Sequence, residues 1–265
     1  MKKVVTGVSL LLIVAGLWLA RNQIRDAIYA TQQPILPLAV ERSDIPLTTP
    51  IEQTSETTTA SSTNDQRPTS TAPLPTSFNL SVPFTSQAPH ADWRQPYQDA
   101  CEEASLLTVH YFWSDQIFTP EKADAELKKL VAFENDQLGS PDGYKDTDAS
   151  TTAWIVEKYW PQYQTKIFYD WTVRDVETAV SAGRPVIVFF YGKALGNPNY
   201  RNGGPLYHAL VIKGYTPDSF ITNDVGTRRG ADYVYNKQTL LDASHDWNNG
   251  DVQNGQRVML VIEPK

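Results

Sequence analysis

The feature that most constrains the fold is a polar segment, residues 48–77, which has too few apolar side chains to join a hydrophobic core. Its sequence is TTPIEQTSETTTASSTNDQRPTSTAPLPTS, in which nineteen of thirty residues are Thr, Ser or Pro and none is aromatic. Such a composition buries too little apolar surface to offset the chain entropy that folding removes. We predict that this segment is a disordered, extended spacer. With the juxtamembrane residues 21–47 before it, which fit either a short helix followed by linker or linker alone, it makes up a linker region over residues 21–77.

The residues after this linker carry nearly all of the large aromatic side chains. Six of the seven Trp and twelve of the thirteen Tyr lie beyond residue 77. The remaining stretch of roughly 190 residues has the size of one ordinary domain with its own core. We therefore predict one folded domain over residues 78–265.

The N-terminus has the pattern of a membrane segment. After the basic tip, residues 1–3, residues 4–20 read VVTGVSLLLIVAGLWLA without a single charge. Seventeen helical residues are only just enough to cross a bilayer. We predict a transmembrane signal anchor over residues 4–20, with the tip in the cytoplasm and the domain outside. A cleaved signal peptide is the alternative and would make the protein secreted, although Trp18 fits poorly three positions before a cut after Ala20.

Charge and composition exclude several classes of protein. The formal net charge is −7 and no stretch clusters Lys and Arg, so we expect no nucleic-acid partner. The sequence has no recognisable zinc-ligand spacing. The stretch DTDAST, from Asp146, resembles a calcium loop but has Thr151 where that loop requires glycine. It is better explained as the N-terminal cap of a helix before Trp154, and we expect no metal or cofactor.

Local patterns predict helices in the first half of the domain and strands in the second. Cys101–Trp113 has the pattern of a helix, and Thr119 and Thr172 are typical N-caps of two more. The stretches PVIVFFY, HALVIKGY, SFITND and RVMLVIEP are rich in β-branched and aromatic residues and predict strands. Helices followed by strands indicate an α+β fold.

The only cysteine, Cys101, stands at a predicted helix start in YQDACEEAS, and it has no partner for an intramolecular disulfide. Its open roles are a small buried hydrophobe, a metal ligand, a redox sensor or a nucleophile. The N–H groups and dipole of a helix N-terminus favour a thiolate, whereas charge on Glu102 and Glu103 opposes one. A nucleophilic Cys101 therefore needs a cation beside it, usually a protonated histidine.

Among the four histidines, His208 is the one best placed to serve Cys101. It follows the loop GNPNYRNGGPLY and opens the apolar strand ALVIKGY. His110, by contrast, lies nine residues further along the helix than Cys101, which corresponds to about 13 Å. The turn at Pro217-Asp218 predicts a hairpin that returns Asp224 to the vicinity of His208. A carboxylate there would fix the tautomer of the imidazole and stabilise its charge.

Four stretches in this order resemble the papain-like cysteine peptidases, in the group related to bacteriocin double-glycine leader peptidases. They are VPFTSQAP, QDACEEAS, YHALVIKGY and NDVGTRRG, and the resemblance extends over about residues 80–262. It implies a papain-like α+β fold in which a helix with the cysteine at its start packs on an antiparallel sheet. The sequence departs from the leader peptidases at Glu102-Glu103, where a glycine commonly follows the nucleophile.

The resemblance also implies roles for individual residues. Cys101 would be the nucleophile, His208 the general base and then acid, and Asp224 the residue that orients the imidazole. Gln87 would donate to the oxyanion together with the backbone N–H of the cysteine. The alternatives for this glutamine, nearer to the cysteine in the sequence, are Gln95 and Gln98.

The function implied is that of a bacterial thiol hydrolase, anchored in the membrane with an extracytoplasmic catalytic domain. It would cleave peptide or amide bonds of a peptide or protein substrate through an acyl-enzyme, as a monomer and without a cofactor. Two alternatives stay open, a transpeptidase or transamidase on the same fold and a non-enzymatic cell-surface binding module.

Overall fold

A computed structural model describes residues 20, 21, 23, 24, 31, 33–45, 73–139 and 146–265. The chain divides into two units, one ending at Leu36 and the other beginning at Pro37. The predicted tip, the predicted anchor apart from Ala20, and residues 46–72 of the predicted linker lie outside the described residues. Within the described residues, none of the helices has the length and hydropathy needed to cross a bilayer.

Five α-helices lie in the described part of the domain. They are α1 (Cys101–Trp113), α2 (Pro120–Leu138), α3 (Ala149–Tyr159), α4 (Val173–Ser181) and α5 (Lys237–Ala243). The side chains of Thr119 and Thr172 accept hydrogen bonds from first-turn N–H groups of α2 and α4, as their sequence positions predict. Asp148 caps α3 in the same way, so the DTDAST stretch is a helix start.

Seven strands form one sheet within the described residues. They are β1 (Phe78–Asn79), β2 (Tyr163–Tyr169), β3 (Val186–Tyr191), β4 (Tyr207–Tyr215), β5 (Ser219–Asn223), β6 (Tyr233–Asn236) and β7 (Val258–Pro264). The order across the sheet is β2-β7-β3-β4-β5-β6, with β1 paired to β4. All of these pairs are antiparallel. Because of the strand order, the predicted strands β3, β4 and β7 lie at the buried centre of the sheet.

Side chains of the sheet alternate between two hydrophobic cores. From β3, Ile187 and Phe189 enter the core that includes α1, while Val186, Val188 and Phe190 enter the core that includes α4. This two-residue period follows from the strand geometry. A helix that begins at the cysteine and packs on an antiparallel sheet is the papain-like α+β arrangement predicted from the sequence, and the structure confirms it.

Residues 37–45, which we call the strap, pack on the domain beside β1. The Val40 N–H donates to the Asn79 carbonyl at 2.9 Å, and the Val40 carbonyl accepts from the Ser81 N–H at 2.9 Å. Ile45 packs against the core that includes α4. Part of the predicted linker is therefore joined to the folded domain by backbone hydrogen bonds and an apolar contact.

Candidate active site

Cys101 is the first residue of α1 and is buried, with 3% of its surface exposed. The residue before it, Ala100, provides no side-chain cap to the helix. The N–H groups of the first turn therefore keep donor capacity that a capping side chain would otherwise use. The thiol lies at the positive end of the α1 dipole.

The β4–β5 hairpin brings His208 to Asp224. The two strands pair antiparallel on either side of the turn at residues 216–218, which confirms the hairpin predicted from the sequence. His208 is the second residue of β4, and Asp224 directly follows β5. His208 Nε2 lies 2.9 Å from Asp224 Oδ1, as the predicted hairpin requires.

The register of β4 also brings His208 to the neighbourhood of Cys101. Pairing with β5 begins only at Val211, so the first residues of β4 run past the end of β5. In this overhang the backbone N–H of Ala209 donates to Cys101 Sγ at 3.3 Å. Ala209 follows His208 directly, so the thiol lies against the backbone of β4 one residue from the imidazole.

Asp224 is fully buried and yet favours the carboxylate form. Burial alone would raise its pKa, but the charge of His208 and hydrogen bonds from His208, Tyr235 and Tyr200 outweigh burial, so the pKa lies below its ordinary value. Oδ1 also accepts from the Gly226 N–H at 3.0 Å. An ionised Asp224 can therefore hold His208 through its Nε2–H and stabilise positive charge on the imidazole.

The arrangement follows the order of the motifs in the sequence, with a cysteine at a helix start, a histidine near a strand start and an aspartate after the next strand. The model of the Peptidase_C39 like family matches residues 79–253, which include all three side chains. The chain belongs to the Peptidase_C39 like family. The resemblance to this group of cysteine peptidases is thereby confirmed.

Two solved structures are similar to this C39-like chain. One is described as a C39-like peptidase from Bacillus anthracis, at 17% identity over 70% of this chain and 96% of that chain, with a TM-score of 0.46. The other is xylellain, a cysteine protease from Xylella fastidiosa, at 13% identity over 73% of this chain and 87% of that chain, with a TM-score of 0.42. The comparison with curated proteins found no match.

Of the three glutamines considered as oxyanion donors, Gln87 is buried whereas Gln95 and Gln98 are exposed. Gln87 Nε2 donates to the carbonyl oxygens of Tyr97 at 2.8 Å and Gln98 at 3.0 Å, and its backbone N–H donates to the Val225 carbonyl at 2.9 Å. Gln87 thus joins the segment before the cysteine to the turn after the aspartate. Both amide hydrogens are used, so donation to an oxyanion requires one of these bonds to be exchanged.

A carboxyl group contacts the thiol of this C39-like site. Cys101 Sγ donates to Glu102 Oε2 at 2.9 Å, and the Thr147 N–H donates to Glu102 Oε1 at 3.0 Å. Burial, followed by the charges of Glu102 and Asp146, raises the pKa of the Cys101 thiol well above its ordinary value. The described state therefore favours a neutral thiol, whereas the sequence predicts a thiolate beside a protonated histidine.

Three residues that the sequence does not single out surround the other oxygen of Asp224. The side chains of Asn197, Tyr200 and Tyr235 all donate to Oδ2. Two of them lie in the loop that precedes His208, and a polar loop beside a candidate histidine is the one signal in the sequence that points to them. Tyr235 lies on β6, which the sequence patterns do not predict.

The calcium-like stretch has a structural role in the described residues. Asp148 Oδ1 accepts from the Thr151 N–H at 2.7 Å as the cap of α3. Glu157, the last position of the calcium-like pattern, accepts from the Thr165 N–H at 3.1 Å. In the described part of the chain, His, Cys, Asp and Glu side chains form no group of three or more that could hold a metal ion.

Proposed function

We propose that this protein is a thiol hydrolase that cleaves peptide or amide bonds through Cys101, His208 and Asp224. The strongest support comes from two neighbouring residues of β4. The Ala209 N–H binds the Cys101 thiol, and the His208 side chain binds the buried carboxylate of Asp224. Membership of a family of cysteine peptidases supports a peptide or protein as the substrate class.

His208 acts first as a general base. Because Nε2 is bound to Asp224, Nδ1 is the nitrogen that accepts the Cys101 proton as Sγ attacks the substrate carbonyl carbon. The Asp224 carboxylate stabilises the imidazolium that forms. His208 then gives the proton to the leaving amine, the C–N bond breaks, and the acyl group stays on Sγ as a thioester.

The negative oxygen of the tetrahedral intermediate is received by N–H groups at the start of α1. Gln87 serves as a second donor once one of its two backbone bonds is exchanged for the oxyanion. Water then attacks the thioester with His208 again acting as base, and the cysteine is regenerated.

Substrate has to enter a site that is closed in the described state. Cys101 is 3% exposed and His208 is 1% exposed. A carbonyl group reaches Sγ only after a neighbouring segment moves. The same movement allows Cys101 to exchange its hydrogen bond with Glu102 for one with His208.

We further propose that residues 4–20 anchor a monomeric protein in a bacterial membrane, with the catalytic domain on the extracytoplasmic side. The uncharged run and the polar linker after it support this arrangement. The mass of the mature chain tests it directly, because a chain cleaved after the run is lighter by that segment and is secreted.

A peptide library tests the proposed activity. The full chain in detergent is incubated with peptides of random sequence, and the products are identified by mass spectrometry. We expect new termini from the wild type and a loss of at least about 10³-fold in rate with Cys101→Ser and with His208→Ala. Cleavage that persists in Cys101→Ser would exclude the proposal. Ligated products in the presence of an added amine would identify a transferase, and the absence of any acyl-enzyme would favour a binding module.

A further inference from the structure

The carboxylate of Asp224 has a second hydrogen-bonding side that faces away from His208. Oδ1 accepts from His208 Nε2 and from the Gly226 N–H. Oδ2 accepts from three side chains that play no part in the reaction described above. Their donor atoms are Asn197 Nδ2 at 2.9 Å, the Tyr200 hydroxyl at 2.7 Å and the Tyr235 hydroxyl at 2.6 Å.

These three side chains are themselves held in a fixed arrangement. Asn197 Nδ2 also donates to the Tyr235 hydroxyl at 2.8 Å, and Asn197 Oδ1 accepts from the Asn199 N–H at 2.9 Å. The bond to Asn199 fixes the orientation of the Asn197 amide, so that its Nδ2 faces the carboxylate. The ring of Tyr200 stands edge-on to the His208 ring, with 5.5 Å between centroids and 76° between planes.

The charges around Asp224 fit this donor role. Burial and the neighbouring Asp224 charge raise the pKa of Tyr200 and of Tyr235 far above the ordinary value. Both hydroxyls therefore stay protonated at any pH at which the enzyme works, and each can donate to the carboxylate. Hydrogen bonds of this kind make an ionised carboxylate tolerable in a buried site.

We propose that Asn197, Tyr200 and Tyr235 are positioning residues that hold Asp224 ionised and keep its Oδ1 directed at His208. This inference rests on the proposed function of the cysteine, the histidine and the aspartate. Asn197 and Tyr200 come from residues 196–206, the loop that leads into β4, whereas Tyr235 comes from β6 on the other side of the carboxylate. The loop before the histidine thus determines the orientation of the aspartate, which a loop with a merely connecting role would not do.

Removal of single hydroxyl groups tests this inference in the full chain. The variants are Tyr200→Phe, Tyr235→Phe and the double variant, with Tyr169→Phe on β2 as a control whose side chain is 44% exposed. The readout is kcat and KM across pH for a peptide cleaved by the wild type. Each variant that removes a hydroxyl donor to Asp224 should lose about tenfold in kcat, with little change in KM, and the control should lose nothing.

The pH profile separates positioning from a structural role. A carboxylate that has lost two donors takes up a proton at higher pH, so the acid limb of kcat should move to higher pH in the double variant. A folded double variant with the wild-type kcat and the wild-type acid limb would overturn the inference and leave the proposed function intact. Cleavage that persists in Cys101→Ser would overturn both. If the double variant does not fold, Tyr200→Phe alone decides, because an unchanged acid limb in that folded variant also overturns the inference.

Discussion

The thiol and its neighbouring carboxyl group define the chemistry at the scale of single residues. Cys101 donates a hydrogen bond to Glu102. Burial is the main cause that raises the pKa of the thiol, and the charge of Glu102 is the second cause. Burial also raises the pKa of Glu102 well above its ordinary value, so its charge appears only as pH rises. Glu102→Gln keeps the shape of the side chain and prevents that charge from forming, so the thiol should ionise at lower pH. We expect the rate of Cys101 alkylation by iodoacetamide to begin its rise at lower pH in this variant. Glu126→Gln, at a half-buried glutamate that pairs with Lys129 on α2, serves as the control, and identical profiles for both variants would contradict this role of Glu102.

Gly226 leaves no room for a side chain beside the imidazole. A Cβ at this position would lie 2.7 Å from His208 Cε1 and 3.2 Å from Asp224 Oδ1. Gly226→Ala should therefore displace the imidazole and lower kcat by about 10²-fold, with little loss of fold by circular dichroism. Thr227→Ala changes the same turn without adding an atom against His208 and should keep most of the activity. Equal activity of the two variants would show that the imidazole can accommodate a methyl group at position 226 without displacement.

The sequence predicts the contact of His208 with Asp224 because a short turn between two apolar strands determines their register. It does not predict the donors on the far side of Asp224, because Asn197 and Tyr200 come from a loop whose path depends on its contacts with the folded domain. Nor does it predict the state of the thiol, which depends on the burial of Glu102. Local patterns thus identify the members of the candidate site but not the hydrogen bonds that determine their charge.

At the scale of elements, α1 and α2 meet through two buried carboxyl groups. Glu103 and Glu134 are 5% exposed, and Glu103 Oε2 has no hydrogen-bond partner within the described residues. Burial raises the pKa of both groups, and the charge of Glu103 adds to the shift of Glu134. The folded protein therefore holds these protons to a higher pH than the unfolded chain does.

The proton held by Glu103 makes the stability of the α1–α2 contact depend on pH. The stabilisation is complete below the ordinary pKa of glutamate and is lost as pH rises through the raised pKa of Glu103. When the pH is raised from 5 to 9, the free energy of unfolding should fall in both proteins. The fall should be smaller in Glu103→Gln than in the wild type by about 1–3 kcal/mol. Urea unfolding at the two pH values measures this difference, with Glu126→Gln as the control. The same pH dependence in Glu103→Gln and the wild type would exclude Glu103 as its source.

The central strands and the capped helices are predictable because their signals are local. Thr119 and Thr172 cap helices where a capping residue precedes a helical pattern, and β3, β4 and β7 each contain a run of at least four apolar residues. The strands β2 and β6 at the edges of the sheet are buried only in part. An edge strand needs fewer apolar residues, so its pattern in the sequence is weaker.

At the scale of the whole molecule, the strap joins a segment far upstream to the domain. Its Val40 N–H donates to the Asn79 carbonyl, and Arg42 lies over the ring of Trp113 at 4.8 Å. Val40→Pro removes that N–H and should lower the free energy of unfolding of the full chain by about 1–3 kcal/mol in urea. Leu38→Ala, at a side chain that is 93% exposed, should change it little. A Val40→Pro variant as stable as Leu38→Ala would mean that the strap adds nothing to the stability of the domain.

The composition of the chain predicts where the domain begins but not the strap. Residues 37–45 precede a long polar segment, and their contacts with Asn79 and Trp113 join positions separated by more than thirty residues. No local sequence pattern predicts a contact between residues so far apart in the chain. The predicted anchor apart from Ala20 and most of the predicted linker lie outside the described residues and stay predictions.

In the proposed mechanism, His208 activates Cys101 as a nucleophile. The most direct measurement is the rate of Cys101 alkylation by iodoacetamide from pH 5 to pH 10 in the full chain, compared with His208→Ala. The closed state holds the thiol neutral beside Glu102, so this reactivity comes from the open state in which Cys101 pairs with His208. We expect a limb of reactivity below pH 8.5, the ordinary pKa of a free thiol, that is present in the wild type and absent in His208→Ala. If the two profiles coincide, or if the wild-type thiol reacts only after unfolding, His208 does not activate Cys101 and the proposed mechanism is wrong.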